Sequence, residues 1–175
     1  MNPHPDPASF REAAARFPTG VTVVASIDRD GTPVGMTANS FTTVSTKPPT
    51  VLVSVMRGRT WQAIMDSKRY AVNVLHAEDL ALCAHFSGRP RAEGSPSLVK
   101  REEFPVLPQA IAQFACDVVR SIDVADHTLF IGEVRWCRQR NGSPLAFYSN
   151  RFCNGLGAAI MPAETIAYPA DGWAI

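Results

Sequence analysis

Neither sign of charge dominates this sequence: 17 lysines and arginines against 16 aspartates and glutamates leave a formal net charge of +1. A nucleic-acid binder normally carries a basic stripe. The densest basic segment here, R-G-R at 57–59, is too short to be one. Long apolar runs are also missing; none approaches the ~20 residues that a membrane-spanning helix needs. The opening M-N-P-H-P-D-P lacks the basic and apolar regions of a signal peptide, which makes the cytoplasm the expected location. The four cysteines, Cys83, Cys116, Cys137 and Cys153, form no C-x-x-C pair. The histidines at 4, 76, 85 and 127 form no pair at metal-ligand spacing, so no metal is expected. Cys116 and Cys137 sit in apolar strand-like runs, where a free cysteine serves as a small buried hydrophobe. G-x-G-x-x-G after a strand, G-x-x-x-x-G-K-[ST] and G-x-S-x-G are all absent. Rossmann and P-loop phosphate sites and the serine-hydrolase elbow are thereby excluded.

What remains is a chain of 175 residues, 46% hydrophobic, expected to fold as one domain over 1–175 and to bury roughly 70% of its unfolded surface. Asp6-Pro7 reads as an N-cap and first helical residue. Phe10, Ala13, Ala14 and Phe17 then share one face of a helix over about 7–17. V-T-V-V-A-S at 21–26 is a β-branched strand, and D-G at 30–31 turns a hairpin into P-V-G-M-T-A. Further strands are expected at 50–56, 70–75, 112–124, 129–140 and 144–149, with N-G at 141–142 turning the last hairpin. Thr60 would cap a short helix, and E-D-L-A-L-C-A-H-F would form another. Residues 87–103, rich in Gly, Pro, Ser, Arg and Glu, read as a flexible excursion. Six or seven strands without regular β-α-β alternation predict a mainly β fold, an antiparallel barrel with a few short helices.

The segment that needs explaining is Gly35–Ser45, G-M-T-A-N-S-F-T-T-V-S. Six of its residues carry a hydroxyl or amide: Thr37, Asn39, Ser40, Thr42, Thr43 and Ser45. It runs into the strand T-V-L-V-S-V-M, and polar groups entering a core need partners. A ligand rich in phosphate, hydroxyl and carbonyl groups would supply them. The competing explanation is a strand-end turn whose side chains cap local backbone groups.

In order, F-P-T-G-V-T-V-V, G-M-T-A-N-S-F-T-T-V-S-x-x-P-P-x-V-L-V, Y-A-V-N-V-L, D-H-x-L-F-I-G-E-V and P-L-x-F-Y closely resemble the short-chain flavin reductases. These are the reductase components of two-component flavin-dependent monooxygenases. The resemblance runs from about Phe10 to about Phe152. It implies a Greek-key split β-barrel, a homodimer with sites near the subunit interface, and electron transfer from NADH or NADPH to FMN or FAD. Reduced flavin would then pass to a separate monooxygenase.

By the same resemblance, Thr37, Asn39 and Ser40 would hold the ribityl and phosphate region of the flavin. Ser54, Val55 and Met56 would line the isoalloxazine edge, and Arg59 and Thr60 would approach the phosphate. Phe86 and Ser87 match a further cofactor-contact segment, and Tyr148, Arg151 and Phe152 the strand end near the ring. His127 matches the histidine associated with nicotinamide, and Asp126 beside it would fix its tautomer or raise its pKa. Two departures stand out. Ala125-Asp126-His127 replaces the G-D-H of many relatives, and R-G-R replaces a Ser/Thr-rich loop. Phe41, Phe86, Phe147 and Trp61 read as core, and Trp173 in the tail A-D-G-W-A-I has no counterpart in the family pattern.

Flavin carries the redox chemistry in such a site, so the protein needs no nucleophile or general base and His127 is assigned to positioning the nicotinamide. Two alternatives remain open on the sequence. One is a flavin carrier or electron-transfer protein on the same barrel, without a productive nicotinamide site. The other is an oxidase of the pyridoxamine-phosphate type, which would need a basic substrate-phosphate cluster. Arg135, Arg138 and Arg140 read more simply as a solvated strand face.

Overall fold

The computed structural model describes residues 4–88, 97–155 and 157. In chain order its elements are α1 Pro7–Ala14, β1 Thr19–Gly20, β2 Thr22–Ile27, β3 Pro33–Ala38, β4 Thr42–Thr46, β5 Pro49–Met56, α2 Arg59–Ser67 and β6 Arg69–Val74. There follow α3 Leu80–Phe86, β7 Val99–Arg101, β8 Phe104–Val106, β9 Ala112–Val124, β10 His127–Gln139, β11 Leu145–Tyr148 and β12 Arg151–Asn154. Seven strands form one antiparallel sheet in the order β3-β2-β6-β9-β10-β5-β4. A smaller sheet has the order β1-β11-β12, and β7 pairs with β8.

The chain connectivity requires this sheet to curl. Flat, seven strands at about 4.8 Å spacing would hold the edges β3 and β4 about 29 Å apart. Yet β3 ends at Ala38 and β4 starts at Thr42, a link that reaches at most about 14 Å. The two edges must therefore approach, which makes the sheet a barrel with a seam at Asn39–Phe41. The mainly β split barrel expected from the sequence is what forms.

β2 stands between two of the three buried clusters among the described residues. Five of its six residues are buried, as in a strand covered on both faces. Val24 joins Val53, Val55, Ile64, Tyr70, Val72 and Phe130 in the interior. Val23 and Ala25 turn the other way, onto Leu75, Leu82, Cys83 and Leu107 beneath α3. Gly132 lies where β10 crosses Tyr70. A Cβ there would fall 2.7 Å from Tyr70 Cζ and 2.8 Å from Cys116 Cβ.

Several local expectations hold. Asp6 accepts hydrogen bonds from the Ala8 and Ser9 amides at the start of α1, and the Asp28–Thr32 turn, with Gly31 at φ 78°, joins β2 to β3. Others are corrected. Helix α1 ends at Ala14, short of Phe17, and buries none of its residues. Gly58, not Thr60, is the N-cap of α2, and Thr60 is buried inside it. Asn141-Gly142 turns no hairpin, because β10 and β11 belong to different sheets. Within 87–103, Val99–Arg101 is a strand paired with Phe104–Val106, and the stretch 89–96 lies outside the described residues. Cys116 is buried but Cys137 is exposed, since β10 alternates faces along its outer half. Trp173 also lies outside the described residues.

Candidate functional site

The seam collects most of the polar run. At the end of β3, Thr37 donates its hydroxyl to the Cys83 carbonyl at 2.8 Å. That carbonyl also accepts from Ser87 Oγ at 2.7 Å. Phe86, on the same turn of α3, packs so closely on β3 that a Cβ at Gly35 would lie 3.2 Å from its ring. Thr37, Phe86 and Ser87 are thus gathered at one corner. Ser40 then clamps the seam: it donates to the Ser54 carbonyl at 2.8 Å and accepts the Ser54 amide at 3.1 Å. The last β4–β5 pair is Thr42 with Leu52, so Ser40 satisfies β5 just where the ladder has stopped.

These bonds revise the argument from unmet polarity. The hydroxyl protons of Thr37 and Ser40 are taken by the chain itself, not by local backbone groups as the turn explanation holds but by carbonyls 46 and 14 residues away. Their oxygens keep acceptor capacity. Asn39 is exposed, with no side-chain hydrogen bond among the described residues. Beside it opens a cleft of about 220 Å³ lined by Val21, Thr37, Ala38, Asn39, Phe147 and Phe152. The rings of Phe147 and Phe152 pack at 5.2 Å between centroids, directly paired across β11 and β12. Tyr148 and Arg151 flank the hairpin tip, where Ser149 and Asn150 take φ of 49° and 61°. Thr19 pairs with Phe147, and its Oγ1 is buried without a hydrogen-bond partner.

His127 enters from the opposite side of the clamp. It opens β10 directly across from Met56, with Thr128 opposite Val55 and Leu129 opposite Ser54. Register therefore joins two candidate groups that are far apart in sequence. Met56 is 52% exposed, whereas Val55 is fully buried and pairs with Thr128, so of the two only Met56 is open to a ligand. His127 Nδ1 lies 2.8 Å from Asp126 Oδ1. That hydrogen bond, helped by the charge of Arg57, holds the Asp126 carboxyl below its ordinary value. Ala125 takes φ 52° in this turn, the conformation that glycine would adopt without strain.

Two candidates point elsewhere. Arg59 makes an ion pair with Asp28 at 2.7 Å, and Thr60 is buried in α2. Val21, Ala38 and Phe147 line the cleft as well; the sequence signal for Val21 lies in F-P-T-G-V. Two larger hollows, of about 280 and 500 Å³, border Arg69 and Glu103. The Arg69–Glu103, Arg69–Asp117 and Arg135–Asp117 ion pairs already satisfy much of their charge. No metal-binding group of side chains occurs among the described residues.

The cleft suits a flat ring with polar edges. Its walls are aliphatic and aromatic, while Thr37 and Asn39 offer polar contacts along its lining. Arg151 is exposed and has no ion pair among the described residues, which leaves it free for an anionic group.

Residues 14–156 match the family described as flavin reductase like domain. The chain is 36% identical over 151 residues to the NADH-dependent flavin reductase StyB of Pseudomonas fluorescens, covering 84% of this chain and 89% of that one. It is 38% identical over 146 residues to the FMN reductase (NADH) SmoA of Agrobacterium fabrum, covering 82% and 83%. The fold superposes on the styrene monooxygenase flavin reductase SMOB of Pseudomonas putida S12 with a TM-score of 0.79, at 37% identity, covering 85% and 99%.

Proposed function

Because the chain belongs to the flavin reductase like domain family, we propose that it is an NADH-dependent flavin reductase whose reduced product is consumed by a separate monooxygenase. The observation that carries this reading is the meeting of His127 and Met56 across β10 and β5. The Ser40–Ser54 clamp joins that pair to the apolar cleft. NADH, and FMN or FAD, are the proposed substrates, and relatives named as NADH-dependent reductases support the choice of nicotinamide.

Bound flavin supplies the redox chemistry, accepting a hydride from the reduced nicotinamide. The chain's own task is to orient both molecules and exclude water. Val21, Phe147 and Phe152 would cover the flavin ring, with Tyr148 and Arg151 at its rim. Asn39 and the free acceptor positions of Thr37 and Ser40 would meet its hydroxylated chain. Met56 would lie along its edge, with β5 held there by the Ser40–Ser54 clamp. Asp126 fixes the proton of His127 on Nδ1, leaving Nε2 to accept a hydrogen bond from the nicotinamide carboxamide. Arg59 is already committed to Asp28, so phosphate binding falls to other cations.

The exposed Phe10 (63%), Phe17 (74%) and Phe152 (47%) support a homodimer. Their neighbourhood is fixed by the Ser149 amide, which donates to the Ala15 carbonyl, and apolar surface of this kind marks a protein contact. The test is His127→Ala. It is expected to raise KM for NADH about three- to tenfold, as loss of a hydrogen bond to a bound ligand does, with flavin affinity unchanged. Loss of flavin binding with an unchanged KM for NADH would overturn the assignment.

A further inference from the structure

We propose that Arg57 is the cation that receives a diphosphate oxygen of the nicotinamide dinucleotide, and that Trp61, Asp123 and Thr128 form the frame that positions it beside His127. The proposal rests on the nicotinamide-side reading of His127 given above.

Arg57 starts from the right place. It follows Met56, the residue opposite His127, and its amide donates to the Asp126 carbonyl at 3.4 Å. Its backbone is therefore tied to the turn that carries His127.

The guanidinium is held but not consumed. Its central carbon lies 6.0 Å from the centre of the Trp61 ring. The Asp123 carboxylate is 4.0 Å away, which is beyond hydrogen-bond length. The side chain is 59% exposed. Among the described residues its N–H groups make no hydrogen bond, whereas Arg29, Arg59 and Arg69 each hold a carboxylate at 2.7–2.8 Å. A planar fork with unspent donors suits a phosphate.

The frame around it reaches into the core. Thr128 is fully buried. Its hydroxyl accepts the Trp61 indole N–H at 2.8 Å and donates to Asp123 Oδ1 at 2.6 Å. One buried hydroxyl thus fixes both groups that flank the guanidinium. A merely solvated arginine needs no such support, because exposed pairs contribute little. The neighbouring carboxylates are engaged, Asp126 by His127 and Asp123 by Thr128. One guanidinium beside two carboxylates leaves no net positive charge. A phosphate oxygen would therefore be held by the directed donors of Arg57 and not by a positive field, and an additional 2′-phosphate is not favoured. Arg57 therefore recognises what NADH and NADPH share.

The test is steady-state kinetics on the intact protein, varying NADH, NADPH, FMN and riboflavin in turn. The variants are Arg57→Ala, Arg57→Lys, Thr128→Val, Trp61→Phe and His127→Ala, with Arg135→Ala as a control for loss of a generic positive charge. Arg57→Ala is expected to raise KM for NADH and NADPH by similar factors, about tenfold, as for a charge-assisted hydrogen bond. It should leave kcat within about twofold and KM for FMN unchanged. Lysine should recover only part of the loss, lacking the planar fork. Thr128→Val should raise KM for NADH less, and add nothing in the Arg57→Ala background. Should Thr128→Val not fold, Trp61→Phe, which removes the indole donor and keeps an aromatic ring, is expected to give the same non-additive effect. If His127→Ala raises KM for NADH but Arg57→Ala does not, the Arg57 assignment alone is overturned. If neither does, the nicotinamide reading falls with it. A KM increase for FMN but not riboflavin would assign Arg57 to the flavin phosphate instead. Additive effects of Thr128→Val and Arg57→Ala would dissolve the frame.

Discussion

His127 and Asp126 form a hydrogen-bonded dyad, Nδ1 to Oδ1 at 2.8 Å, on the turn that leads into β10. The hydrogen bond from the imidazole holds the carboxyl pKa below its ordinary 3.8, so the group stays ionised to lower pH than a free carboxyl. A lowered carboxyl pKa contributes stability above the unfolded value, and that contribution is lost as pH falls through the folded one. Asp126→Asn should therefore lower kcat/KM for NADH about three- to tenfold at pH 7, the scale of one positioning hydrogen bond, with flavin Kd unchanged. Any difference in Tm between this variant and the native chain should shrink as pH drops below 3.8. A difference that grows in acid would contradict the dyad.

Ala125 holds φ 52° on an exposed turn, where an L side chain costs about 1–2 kcal/mol. Ala125→Gly relieves that strain but loosens the unfolded chain, which costs about 0.4–1 kcal/mol. The net expectation is a gain of about 0.5–1 kcal/mol, read as a higher denaturation midpoint at constant m-value. A lower midpoint would mean that the alanine methyl makes a stabilising contact.

Ser40 is the only side chain that bridges both backbone groups of Ser54 among the described residues. Ser40→Ala leaves that amide and carbonyl partly buried and unmet, which costs about 1–3 kcal/mol. Because the clamp holds the two halves of the site together, flavin Kd should rise as well. Unfolding curves and flavin titration check the two effects separately, and unchanged values in both would remove the clamp from the account.

What could be read from the sequence depended on whether the signal was local. The β2–β3 hairpin was legible because Asp30-Gly31 separates two β-branched runs, and P-V-G-M-T-A became β3 with the expected ends. The β11–β12 hairpin was missed because its turn, Ser149-Asn150, adopts positive φ without a glycine. The β7–β8 turn did the same with Glu102-Glu103 inside a segment whose composition read as flexible. Thr42–Thr46 looked like ligand-binding polarity but is also an edge strand with alternating exposure. In the candidate site, residue types were legible while their partners were not. Only the fold places Cys83 O before Thr37 and Ser54 before Ser40. Arg57 and Arg59 are near-equivalent in R-G-R, yet one faces Trp61 and the other Asp28.

The central claim is catalytic turnover, and oxidation of NADH by the purified chain in excess FMN or FAD tests it most directly. Absorbance at about 340 nm follows the reduced nicotinamide while the flavin, not the protein, carries the hydride. The account predicts that oxidation continues through many equivalents of NADH per protein, with oxygen reoxidising the released flavin. Oxidation that stops at one equivalent, or never exceeds the rate with free flavin alone, would contradict it and leave a flavin-binding barrel without a working nicotinamide site.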